Sequence, residues 1–340
     1  MKSKILLTTL VFFFLLEIKS QDAVFSQFFS SPLNINPALT GNINGDWRVI
    51  SNFRNQWNGV KSPFNTGTIS FDSKLFQEKF ANSTENGNHA SIGGMMMYDQ
   101  AMSGIVNSNY ASLNFSYKLK LFENYSKHSL GIGFGAIYGH RKIDFNRLLF
   151  ENQYVNGYGF FANLPTNEGN LSSMKPYLSV STGLIYNIFN EKSNFDIGVS
   201  AFHVNKPKQT FLKDTNQIIP IRLVAHANYE RFINENLVLS VNSIYQVQSS
   251  ASYYSFGTSI GYIVPQSVPT VMVNAGLWYW SNNAIIPYLG FTSGNFQVGF
   301  SHDITISKLN TSFTRPNTWE FSFIIRGAKR LSLAPPCPWK

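Results

Sequence analysis

From about residue 47 onward, apolar and polar side chains alternate in one long segment after another. A period of two is what a β-strand imposes and what a helix would scatter around its circumference. In Ser112 to Leu121, the residues Leu113, Phe115, Tyr117, Leu119 and Leu121 share one face, while Ser112, Asn114, Ser116, Lys118 and Lys120 share the other. Phe296, Val298, Phe300 and Ile304 oppose Gln297, Gly299, Ser301 and Asp303; Trp319, Phe321, Phe323 and Ile325 oppose Glu320, Ser322 and Arg326. The same test predicts about fourteen strands, near 47–58, 63–76, 89–100, 106–122, 127–141, 175–189, 193–204, 218–233, 235–248, 253–264, 270–281, 284–293, 294–306 and 316–327. These exceed the usual globular strand of about five or six residues. They suit a tilted membrane crossing, which takes about 9–11.

Charge placement sharpens the reading. Only 13% of residues are charged, against about a quarter in ordinary soluble domains. A mean hydropathy of −0.10 excludes a bundle of membrane helices, which needs repeated apolar runs of about 20 residues. Arg48, Arg54, Asp72, Lys74, Lys118, Lys120, Asp196, Arg222, Glu230, Asp303, Glu320 and Arg326 all fall on the polar faces. On the apolar faces the polar exceptions are His140, His203, Arg231 and His302. A charge facing lipid at the bilayer midplane costs about 2–4 kcal/mol, whereas a lumen tolerates it. Trp47, Trp57, Tyr138, Tyr186, Tyr229, Tyr262, Tyr279 and Trp319 lie near strand ends, where interfacial girdles belong. A soluble sandwich also alternates, but with shorter strands and closer turns. The pattern therefore predicts an all-β chain, a transmembrane antiparallel up-and-down barrel of about 14 strands in the bacterial outer membrane.

The flanks divide the rest. Residues 1–20 read as a secretory signal peptide, with Lys2 and Lys4 before the apolar run Ile5 to Leu16. Residues 21–46 lack strand periodicity but carry Phe25, Phe28, Phe29, Leu33, Ile35 and Leu39, so they are expected to pack inside the barrel mouth or at its periplasmic rim, as a plug-like segment. Pro32 and Pro37 are read there as helix breakers. The barrel itself is assigned to 47–327 and a tail to 328–340, ending Pro335-Pro336-Cys337-Pro338-Trp339-Lys340. With a periplasmic start, the long gaps near 142–174, 205–217 and 307–315 fall outside; 77–88 is the exception, a polar stretch on the periplasmic side.

Catalytic chemistry is not in evidence. The histidines His89, His128, His140, His203, His226 and His302 form no HExxH and no i, i+4 pair, and one cysteine allows no Cys-rich metal site. Neither a metal nor a cofactor is expected. Gly131, Gly133 and Gly135 alternate along a strand with no helix after them, so they read as small lumen residues where something bulky approaches the wall. There is no GxSxG, and His302 and Asp303 face opposite sides, so no hydrolase is expected. The net charge of +9 is dispersed, which argues against nucleic acid.

The ends also carry a family resemblance. Gln21-Asp22, Phe25-Ser26-Gln27, Pro32-Leu33, Asn36-Pro37-Ala38 and Gly41, with Arg54-Asn55-Gln56-Trp57 and the terminal Cys337-Pro338, closely resemble the PorP/SprF family over nearly the whole mature chain. The resemblance implies a non-enzymatic accessory of the type IX secretion system. It would bind or retain a secreted adhesin through that partner's C-terminal targeting domain, serve adhesion or gliding, and contact periplasmic ring components. Asn36, Pro37, Arg54, Gln56 and Trp57 are the motif positions proposed for binding. The alternative is a transport channel for small or hydrophobic solutes.

Overall fold

The computed structural model describes residues 22–59, 62–75, 88–123, 125–166, 174–209, 217–307 and 316–327. The expected leader, the tail, most of 77–88 and parts of the long outer loops lie outside the described residues. Fourteen strands form the wall: β1 (Trp47–Asn58), β2 (Phe64–Leu75), β3 (His89–Ala101), β4 (Val106–Glu123), β5 (Lys127–Ile143), β6 (Tyr177–Phe189), β7 (Ser193–Phe202), β8 (Arg222–Phe232), β9 (Leu237–Gln248), β10 (Ala251–Ile263), β11 (Val271–Trp280), β12 (Ala284–Ser293), β13 (Phe296–Thr305) and β14 (Asn317–Gly327). Each pairs antiparallel with its sequence neighbours, and β1 pairs with β14, so the sheet closes on itself. Every predicted strand is present. No helix of the described residues is long and apolar enough to cross a membrane. Closure leaves no sheet edge, which lipid requires because it offers no hydrogen bonds to an unpaired strand.

The alternation sorts side chains as expected. Leu113 on β4 and Leu289 on β12 are 70% and 62% exposed. With Ile69, Phe134, Val199, Phe256, Phe300 and Phe321 they form an outward apolar belt far larger than water would tolerate. Trp47, Tyr186, Tyr229 and Tyr262 fall near one end of the strands, and Tyr138, Tyr279 and Trp319 near the other. The long connections 144–176, 203–221 and 306–316 all leave from that second end, which is the outer one in barrels of this kind. Turns at the inner end are tight: the Asn190 and Asn234 side chains accept backbone N–H bonds two and three residues on, at 2.7–3.0 Å. Asn favours such turns for this reason. In the longest outer connection, Tyr154–Val155 pairs with Gly159–Phe160 as a small bridge that strand periodicity did not announce.

Residues 22–46 lie within the ring of strands. Their course can be followed from Asp22, beside the outer ends of β8 and β9, to Asp46, whose backbone N–H donates to Gly327 at the inner end of β14. The reading of the two prolines needs correcting. Pro32 opens the short helix α1 (Pro32–Ile35) and Pro37 opens a 3₁₀ turn, Pro37–Leu39. A proline at a first helical position loses no bond there, and its fixed φ is already helical. His203 also departs from expectation. Its backbone has φ 57°, which turns the ring from the apolar side to a buried place between Ser179 and Asp22.

The belt makes a direct test possible. Leu289→Arg should destabilise the folded barrel in lipid vesicles by about 2–4 kcal/mol, the cost of a cation at the midplane. Denaturant titration of the variant beside the unaltered barrel checks it.

Candidate functional site

The interior is built in layers by the segment and the wall together. At the inner end Arg48 and Asp72 pair in two bonds, Nε to Oδ1 at 3.0 Å and a second guanidinium nitrogen to Oδ2 at 2.9 Å. Asp72 Oδ2 also accepts the Gly41 N–H at 2.8 Å. Nearer the outer side, Arg54 reaches Asp303 Oδ2 at 3.0 Å and has Glu320 Oε2 at 3.9 Å. Glu320 is fully buried. It accepts the backbone N–H groups of Ser26 at 2.7 Å and Gln27 at 3.0 Å. Ser26 Oγ donates to Asp303, and Arg54 also donates to the Val24 carbonyl. Two carboxylates are thus completed by segment donors and one guanidinium by a segment carbonyl, as buried charge demands.

Across the lumen, the Asn36 side chain donates to the Leu184 carbonyl at 3.0 Å and the Val199 carbonyl at 3.2 Å, and sits 3.1 Å from His226 Nε2. Its Oδ1 accepts the Ala38 N–H. Pro37 and Ala38 press against β5 at Gly133, where any Cβ would run into their backbone. The reading of Gly133 as a point of close approach is therefore met; Gly135 instead faces Asn114 and Ser181 of the adjoining strands. The apolar half of the interface sets Phe29 against Trp278 at 4.7 Å and Tyr288 at 5.6 Å. Ile286, Ala284 and Trp280 continue that patch.

Asp22 caps the outer end of the segment. It lies 2.9 Å from His203 Nε2 and 3.1 Å from Arg222 Nε, and its backbone N–H donates to Gln248 at 3.0 Å. Burial pushes its carboxyl up, but Arg222, helped by His203 and Gln248, outweighs that and holds it well below the usual carboxylate range.

Of the five motif positions, Asn36, Pro37 and Arg54 sit among these contacts. Gln56 and Trp57 lie farther out, lining a chamber of about 930 Å³ inside the outer mouth. Trp57 was expected in the lipid girdle. A register break between Asn55 and Asn58 and a backbone φ of 60° carry it to the chamber, with its ring edge-on to Phe64 at 5.3 Å. Sequence reasoning missed Trp278, Trp280 and Tyr288, whose inward faces are apolar. Among the described residues no group of three or more His, Cys, Asp and Glu could hold a metal.

A closed antiparallel barrel with a lipid-facing belt and its own chain inside defines an outer-membrane β-barrel protein. Solved structures agree on the fold: the TodX deltaS2S3 mutant monoaromatic hydrocarbon channel has a TM-score of 0.50 at 8% identity, covering 85% of this chain and 92% of that one. Omp33 of Acinetobacter baumannii (TM-score 0.40, 10% identity, 83% and 98% covered) and CdiB of Escherichia coli (0.39, 9%, 82% and 63%) are also similar; this chain thus spans less than two thirds of CdiB. No curated protein matches it. The family described as type IX secretion system membrane protein PorP/SprF matches over residues 17–325, and the chain belongs to that family.

Two variants test the interior. Arg54→Ala leaves Asp303 and Glu320 buried together without their cation, a loss of about 3–5 kcal/mol for a broken buried pair; a lowered melting temperature and faster proteolysis near Ser26 are the expected readouts. Asp22→Asn should speed amide exchange over 22–27. Because the folded carboxyl titrates below its unfolded value of about 3.9, its contribution is complete above about pH 4 and fades only as pH falls further.

Proposed function

We propose that this protein holds a secreted cell-surface adhesin at the outer membrane, docking the adhesin's C-terminal targeting domain on its outer loops, with the barrel as anchor. Family membership supports the setting in type IX secretion. One observation carries the choice of a holder over a pore: residues 22–46 are bonded to both charged layers of the lumen, and the cavities they line there measure about 10, about 30 and about 50 Å³, room for a few waters. In this reading the segment is a plug. The outer connection after β5 supplies the contact surface, with Tyr158 82% exposed beside Tyr154 and Phe160. Exposed aromatics of this kind anchor protein interfaces. The inner end faces the periplasm, where ring components of the machine would meet it.

Replacing 144–176 by a short Gly-Ser linker should leave a barrel that still migrates as a folded, heat-modifiable band, yet loses the adhesin in a detergent pull-down read by mass spectrometry. Undiminished recovery would refute the docking surface. Planar-bilayer recordings address the channel alternative: the intact protein should show no stable open state.

A further inference from the structure

We propose that the outer mouth is a binding site for a neutral oligosaccharide, a ligand class that the holder reading does not supply. The chamber there, about 930 Å³, lies in the size range of small-molecule sites. Among the described residues its lining includes Gln56, Trp57, Tyr253, Trp280 and Asn283, and no Asp, Glu, Lys or Arg. That neutrality stands out in a lumen whose other layers are cross-linked by ion pairs. An anionic or cationic ligand would find no opposite charge among the described residues of these walls. A purely apolar one would strip water from amides and leave them unbonded, at a cost of about 1–3 kcal/mol each. A sugar ring offers what the walls lack: an apolar C–H face for aromatic rings, and hydroxyls for amides around its edge.

The aromatic faces are held in place before any ligand arrives. Trp280 forms the buried floor, 9% exposed, packed on Tyr253 at 5.2 Å with the Arg54 guanidinium 5.0 Å from its ring centre, and leaves the face of Trp57 at the chamber wall. Trp57 is fixed by its left-handed backbone, whose N–H donates to Thr318 Oγ1 at 3.1 Å. The polar edge, by contrast, is unspent. Among the described residues the side chains of Gln56, Ser252, Asn282 and Asn283 hold no hydrogen bond, and Ser307 Oγ is buried without one. An ordered ring and amides without a protein partner within one chamber are the two halves of a carbohydrate site.

The test is isothermal calorimetry of the full-length protein in a zwitterionic detergent without a sugar headgroup, titrated with maltohexaose, cellohexaose, mannohexaose and chitohexaose. Saturable binding of at least one is expected. Gln56→Ala with Asn283→Ala should weaken it about three- to tenfold, the loss of one to two hydrogen bonds. Trp57→Leu, which keeps bulk at that backbone angle, should weaken it about fivefold or more. Heat-modifiability confirms that each variant is folded. No saturable heat with any of the four, or affinity unchanged in both folded variants, overturns the proposal. Neither result bears on adhesin retention, which the loop replacement reads separately.

Discussion

A fourteen-stranded cylinder is too wide to be filled by its own inward side chains, which suffice only in barrels of about eight strands. Everything else in this molecule answers that one geometric fact. Water could occupy the excess, as in porins. Here the chain sends its own residues 22–46 through the lumen instead, and the wall is written to receive them: glycine where the backbone comes close at Gly133, carboxylates where free N–H groups arrive at Ser26 and Gln27, aromatic rings where Phe29 lands.

The polarity of the lumen follows from the same fact. A buried carboxylate is costly unless donors surround it, and a strand wall alone spends its backbone N–H groups on its neighbours. Irregular chain has N–H groups to spare. Ser26, Gln27 and Gly41 direct theirs at Glu320 and Asp72. The prolines at 32 and 37 need no such partners, because they have no N–H and start their turns where helical bonding is absent in any case. A segment without a strand period is thus not a loose one.

What the sequence revealed and what it hid divide along physical lines. The strands were legible because one face of each meets lipid, a solvent that penalises every polar error. The other face was legible only where it meets charge or amide. On β11, Met272, Asn274, Gly276, Trp278 and Trp280 share the inner side, yet Leu277 and Tyr279 between them are apolar too, so alternation disappears just where the wall contacts the hydrophobic part of the segment. Two displaced residues escaped for a different reason. His203 and Trp57 have positive φ, and a local backbone reversal leaves no trace in periodicity. Arg54, Asn36 and Pro37 stood out as motif positions, but the partners that explain them lie far off in sequence, Asp303 being 249 residues from Arg54 and Glu320 farther still, a distance no local pattern spans.

The seam between β1 and β14 joins the two ends of the wall, and the internal strap touches both sides of it. Asn52 of β1 donates to the Ser30 carbonyl, and Ser322 of β14 donates to the Gln27 side chain. The strap leads directly into β1, so its contacts lie alongside the strand that pairs across the whole length of the sequence. Its contacts with β13 and β14 lower the entropic penalty of bringing such remote stretches together. The residues inside the cylinder therefore clasp both sides of its seam, so that opening the β1–β14 ladder would also break the segment's own bonds.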